Sequence, residues 1–131
     1  QSSRDWDLYA IDTQAENALL NLTDTPDVSE WFPIWSPDSR QLGYLSNQRD
    51  EADVVVQSIA NSGRHSITAR LDAAPEYAYD WSADSRYLVY QSGGTDSADL
   101  YLTDVCGSLI EQLTDDPGYD SSPAWRPDLA Q

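Results

Sequence analysis

A single histidine, His65, and a single cysteine, Cys106, bound the chemistry open to this chain of 131 residues. A Ser-His-Asp relay needs an imidazole between nucleophile and carboxylate, so it would have to use His65, which is expected in a loop beside Arg64. Hydrolytic zinc draws on several His or Cys ligands, and one of each is too few. No His-Glu-x-x-His, Gly-x-Ser-x-Gly or phosphate-cradling glycine motif occurs. Carboxylates are plentiful instead. The pairs Asp5 and Asp7, Asp50 and Asp53, and Asp96 and Asp99 recur at a regular spacing. Calcium takes roughly six to eight oxygen ligands from loops of this kind, which makes Asp50, Asp53, Asp96 and Asp99 calcium candidates. Their spacing is not that of an EF-hand, and solvated acids in a turn are the simpler account of them. The same holds for Asp115, Asp116 and Asp120. Two carboxylates facing one another across a pocket would suit glycoside hydrolysis. Asn21-Leu22-Thr23 is a glycosylation sequon with Asn21 as acceptor.

The medium around these groups is strongly acidic. Against 23 Asp and Glu stand 7 bases, all arginine, for a net charge of −16. Such a surface repels nucleic acid and anionic lipid, which excludes both as partners on electrostatic grounds. It suits a salty medium, where counterions screen self-repulsion. One cysteine permits no internal disulfide, and Cys106 reads as a small residue near a turn. No apolar run approaches the ~20 residues of a membrane span, so membrane insertion is not expected. The chain starts at Gln1 and holds no methionine, so the expectation is a product processed or cut from something longer.

What positions these side chains is a repeat. Trp35-Ser36-Pro37-Asp38-Ser39-Arg40 returns 46 residues on as Trp81-Ser82-Ala83-Asp84-Ser85-Arg86, and again, degraded, as Trp125-Arg126-Pro127-Asp128. Leu8 to Asp12, Val54 to Ser58 and Leu100 to Asp104 form a second landmark with the same period. Leu22-Thr23-Asp24, Ile67-Thr68-Ala69 and Leu113-Thr114-Asp115 form a third. Three landmarks in one order at one period mark tandem copies of a single unit.

Between landmarks lie short apolar and aromatic runs bounded by turn signals, such as Gln41 to Leu45, Tyr87 to Tyr90, Asp53 to Ile59 and Asp99 to Val105. Trp31, Pro33 and Trp35, like Tyr77, Tyr79 and Trp81, alternate with the strand period of two. Each unit therefore holds four short strands and no helix. In Ser36-Pro37-Asp38-Ser39 the proline presets the backbone of a tight turn and Asp and Ser bond locally, which joins the tryptophan strand to the next as a hairpin. Four antiparallel strands in 40 to 50 residues is the arithmetic of a β-propeller blade. A blade cannot cover its own faces, so Trp31, Trp35, Tyr77, Tyr79, Trp81 and Trp125 are expected to pack between blades. Pro37, Asp38, Asp84, Pro127 and Asp128 are expected to shape the hairpin turns.

Leu22-Thr23, Pro33-Ile34-Trp35-Ser36-Pro37-Asp38, Asn47-Gln48-Arg49-Asp50, Leu113-Thr114 and Pro123-Ala124-Trp125-Arg126-Pro127-Asp128 together resemble the TolB-type propeller repeat, a WD-repeat-like family with a Pro-Asp motif. Ser39 and Ser85 stand where that repeat carries glycine, Tyr79 replaces the proline of the second tryptophan strand, and Ala83 replaces the proline of its hairpin. The resemblance implies an all-β scaffold that is secreted, at the cell surface or periplasmic. It implies a binding platform, or the propeller of a prolyl oligopeptidase-like peptidase. It implies no shared catalytic residue.

The units run approximately 1–29 (a partial blade), 30–75, 76–120 and 121–131 (a partial blade), all within one propeller region, 1–131. About three blades' worth of strands results, against about 4–8 in closed propellers. A longer parent chain, a closed homo-oligomer or an open filament of stacked copies would each complete the ring or stack. The expected function is a non-enzymatic scaffold that binds a protein partner, or further copies of itself through open blade edges, without a cofactor unless the aspartates hold calcium. A carbohydrate-binding or carbohydrate-active propeller is the remaining alternative.

Overall fold

The computed structural model describes residues 5–47, 53–60, 64–66, 79–93, 97–115, 117–118, 120 and 123–126, with residues 64–66 described by backbone alone. Among them the chain is all-β. A first hairpin joins β1 (Tyr9–Asp12) to β2 (Ala18–Asn21). A four-stranded antiparallel sheet follows, made of β3 (Glu30–Trp35), β4 (Gln41–Ser46), β5 (Asp53–Ser58) and β6 (Arg64–Ser66). A second has β7 (Tyr79–Trp81), β8 (Tyr87–Gly93), β9 (Ala98–Asp104) and β10 (Ile110–Gln112). Strands pair in chain order within each sheet, the meander of a propeller blade.

Two cores lie between these layers. Leu8, Leu42, Tyr44 and Val55 are buried between the first hairpin and the first sheet, with Leu22 against them. Leu45, Val54, Val56, Tyr79, Trp81, Leu88 and Tyr90 fill the space between the two sheets. Central strands thus bury both faces, and β4 and β5 read as nearly continuous buried runs. Gly43 makes the close approach possible: a Cβ there would meet the Tyr79 ring at 3.0 Å and the Trp81 indole at 3.2 Å.

Three details differ from the sequence reading. His65, expected in a loop, lies in β6 opposite Val56, where the fourth strand of the sheet runs through it. The alternation of Trp31, Pro33 and Trp35 is interrupted. A bulge in β3 breaks the register between Trp31 and Ile34, with Phe32 at φ 59°. Pro33 has no N–H for the ladder, and a bulge is where a sheet tolerates proline. The extra residue resets the parity, so Trp31 and Ile34, three apart, pack against the inter-sheet core while Trp35 faces away from it. At the other end, residues 123–126 form no strand, although a partial blade is expected over 121–131. There Trp125 is held through a side chain, its backbone N–H donating to Asp80 Oδ2 at 2.7 Å.

Candidate functional site

The hairpin tips are the most regular sites in the molecule. In the first sheet, Asp38 Oδ1 accepts from the Ser36 hydroxyl at 2.6 Å and from the Arg40 N–H at 3.0 Å, while Ser36 Oγ accepts from the Gln41 N–H. The second sheet repeats this with Asp84, Ser82, Arg86 and Tyr87 at nearly the same distances. Those bonds favour the ionised form, so both carboxyls are held below the usual carboxylate range, first by the serine hydroxyl and then by the arginine N–H. Ser39 and Ser85 sit at φ 63° and 60°, the left-handed conformation glycine takes more easily. Ser85 has a compensation: its Oγ accepts the Asp38 N–H across the sheet boundary at 3.1 Å.

The tryptophans divide. Trp81 is 4% exposed and its indole N–H donates to the Ile34 carbonyl of the preceding sheet. Tyr79, also buried, donates its hydroxyl to the Phe32 carbonyl at 2.8 Å, and burial pushes its ionisation well up. Trp31 and Trp125 are half-buried. Trp35 departs from the expected inter-blade burial: it is 47% exposed, because the first hairpin presents no inner strands against it among the described residues. It lines an open groove of about 310 Å³ with Leu8, Tyr9, Ile11 and Pro33. Tyr9 and Ile11 are exposed as well, as is Leu19 opposite Ile11 on β2, which leaves this flank apolar.

Asp99 is engaged by neutral donors. Its Oδ1 accepts from Thr114 Oγ1 and its Oδ2 from Gln112 Nε2, both at 3.3 Å. Asp7 takes the Asn21 amide in the same way. Asp53, at the matching position, is buried. Asp50 and Asp96, along with Tyr77, Pro127 and Asp128, lie outside the described residues. No group of three or more His, Cys, Asp or Glu placed to hold a metal occurs among the described residues. Sequence reasoning missed this Asp–amide pairing, and the signal was present: Asn21 and Gln112 each precede a Leu-Thr landmark. The landmark threonine is itself a cap. Thr23 Oγ1 accepts the Leu8 N–H and Thr114 Oγ1 the Leu100 N–H, each at 3.0 Å.

The sequon is occupied by the same architecture. Asn21 Nδ2 donates to Asp7 and to the Tyr9 hydroxyl, and its Oδ1 accepts the N–H groups of Thr23 and Asp24. Thr23 is 3% exposed. In the folded chain these side chains are committed to the turn. Cys106 is exposed on the turn after β9.

A larger groove, about 880 Å³, runs across the hairpin tips of both sheets between Asp38, Arg40, Ile59, Asp84, Arg86 and Val105. The carboxyls that line it, Asp38 and Asp84, are the two held below the usual range, which makes them weaker bases.

A family model described as the TolB beta propeller domain matches residues 1–131. Among solved structures, TolB from Acinetobacter baumannii superimposes with a TM-score of 0.72 at 21% identity, over 93% of this chain and 30% of that one. A putative TolB from Agrobacterium tumefaciens gives 0.72 at 22% identity, over 93% and 47%. Oligogalacturonate lyase from Vibrio parahaemolyticus gives 0.73 at 16% identity, over 91% and 36%. The chain thus spans less than half the length of each of these proteins, and the likeness is one of fold.

Proposed function

Since the chain belongs to the TolB β-propeller family, we propose that it is a non-enzymatic, extracytoplasmic propeller module that binds protein, copies of its own repeat included. One observation carries this: the open flank where Trp35, Tyr9 and Ile11 are all exposed along a groove. Large contiguous apolar surface on a folded domain marks an interaction site. Among the described residues no strand pairs with the outer edge of β1, which another strand can extend. In this reading Trp81, Tyr79 and the tip aspartates are scaffold, and no cofactor is needed. Sedimentation over a concentration series tests it. Association above the 14.6 kDa chain mass, reversed by Trp35→Ser with Ile11→Ser, is expected. A single monomeric species at all concentrations, unchanged by the substitutions, sinks the self-binding part.

The fold shared with oligogalacturonate lyase favours a second reading, a propeller that handles acidic glycan. Depolymerisation of a uronic-acid oligomer by the purified chain, lost on one Asp→Asn change, would support it. Inactivity across a broad glycan panel removes it.

A further inference from the structure

The groove across the hairpin tips is a different surface from the apolar flank, and it has the makings of a site. Its walls are two copies of one motif, set side by side by the Asp38 to Ser85 bond between sheets. Its volume falls within the range of ligand clefts, about 300–1,000 Å³. The floor is aliphatic: Ile59, 38% exposed, and Val105 occupy equivalent positions one repeat apart.

The charged groups at the tips are not equally available. Each aspartate has Oδ1 committed to its own hairpin, bound by the serine hydroxyl and the arginine backbone N–H. Each guanidinium is exposed and acts on that carboxylate only through space, with no ion pair formed among the described residues. The donors left free to a visitor are therefore two arginine forks, Arg40 and Arg86, on a molecule of net charge −16 with only seven bases. A guanidinium fork matches a carboxylate in two parallel bonds.

We infer that this groove binds an extended segment of a protein partner, with one carboxylate side chain on each of Arg40 and Arg86 and an aliphatic side chain between them over Ile59 and Val105. The floor has no aromatic ring on which a sugar could stack, which favours peptide over glycan. The overall charge sets a further condition: flanking basic residues must leave the segment neutral, or long-range repulsion at low salt opposes its approach.

The probe is a fluorescein-labelled peptide, acetyl-Lys-Glu-Val-Ile-Val-Glu-Lys-amide, whose two glutamates and central isoleucine share one face of an extended chain, titrated with the whole chain by fluorescence anisotropy. Saturable binding is expected, weakened about tenfold by Arg40→Gln and again by Arg86→Gln, and abolished when both glutamates of the peptide become glutamine. Ile59→Ser, which leaves the arginines in place, is expected to weaken it severalfold. Each variant is checked by its unfolding midpoint. Binding indifferent to all these changes, or absent at millimolar protein, overturns the inference. So does an oligogalacturonate that binds through Arg40 and Arg86 where the peptide does not. The apolar flank is untouched by these substitutions, so failure here leaves self-association through Trp35 standing.

Discussion

Ser39 and Ser85 allow one hydrogen bond between sheets to be weighed against backbone strain. Both serines are left-handed, at φ 63° and 60°. Holding a residue other than glycine there costs about 1–2 kcal/mol, and glycine returns about 0.4–1 of this by its greater freedom when unfolded. Ser39→Gly is therefore expected to stabilise the chain by about 0.5–1 kcal/mol, because Ser39 is exposed and holds no cross-sheet bond among the described residues. Ser85→Gly gains the same relief but loses the bond to the Asp38 N–H, which contributes about 0.5–1.5 kcal/mol. Its net effect is expected near zero. Ser85→Ala keeps the strain and loses the bond, so a loss of about 1–2 kcal/mol is expected. Urea unfolding with a shared m-value resolves such differences. The reasoning is refuted if Ser85→Ala unfolds at the wild-type midpoint, or if the two glycine substitutions shift it equally.

Gly43→Ala would drive a methyl into the Tyr79 and Trp81 rings, so a loss of about 1–3 kcal/mol is expected by the same measurement. The Tyr90 hydroxyl is buried with no hydrogen-bond partner among the described residues, whereas that of Tyr44 donates to Gln57 Oε1 at 3.2 Å. Tyr90→Phe is thus expected to be neutral or stabilising, and Tyr44→Phe to cost about 1 kcal/mol; thermal melts of the pair check the contrast. The lowered ionisation of Asp38 and Asp84 gives stability that is present above the ordinary carboxylate range, about pH 4, and is lost as pH falls through the lowered folded-state range. A double Asp38→Asn, Asp84→Asn variant should show a shallower loss of stability below that pH, read from unfolding midpoints between pH 2 and 6. An unchanged acid limb would show that the tip hydrogen bonds contribute nothing.

The tandem unit, its strand count and its hairpins were legible because each rests on local chemistry: Pro-Asp turns, paired serines and short apolar runs. The fate of individual residues was less legible. Trp35 and Trp81 carry the same motif, yet one is exposed and the other enclosed, since burial depends on the neighbouring layer and not on the motif. The bulge at Phe32 could not be read from an alternation that looked regular. The hydrogen bonding of Asp99 was not legible because its partners, Gln112 and Thr114, lie 13 and 15 residues on, across a strand pair. The cost of serine at a glycine position could be read locally, whereas its repayment by Asp38 is 47 residues away. The groove across the tips is likewise a product of two repeats, invisible in either alone.

Each sheet is also lopsided. Its second strand, β4 or β8, is six or seven residues long and has a paired strand on each side, while its fourth, β6 or β10, contributes only three and is paired on one side within its sheet among the described residues. Amide hydrogens should therefore exchange in a radial gradient: slowest in the second strands, whose release needs the whole sheet to open, and fastest at the fourth, which can peel away alone. Proteolytic nicks and tolerated insertions should gather along that rim. Sequence could thus drift at the periphery while the second strands hold the stack in register.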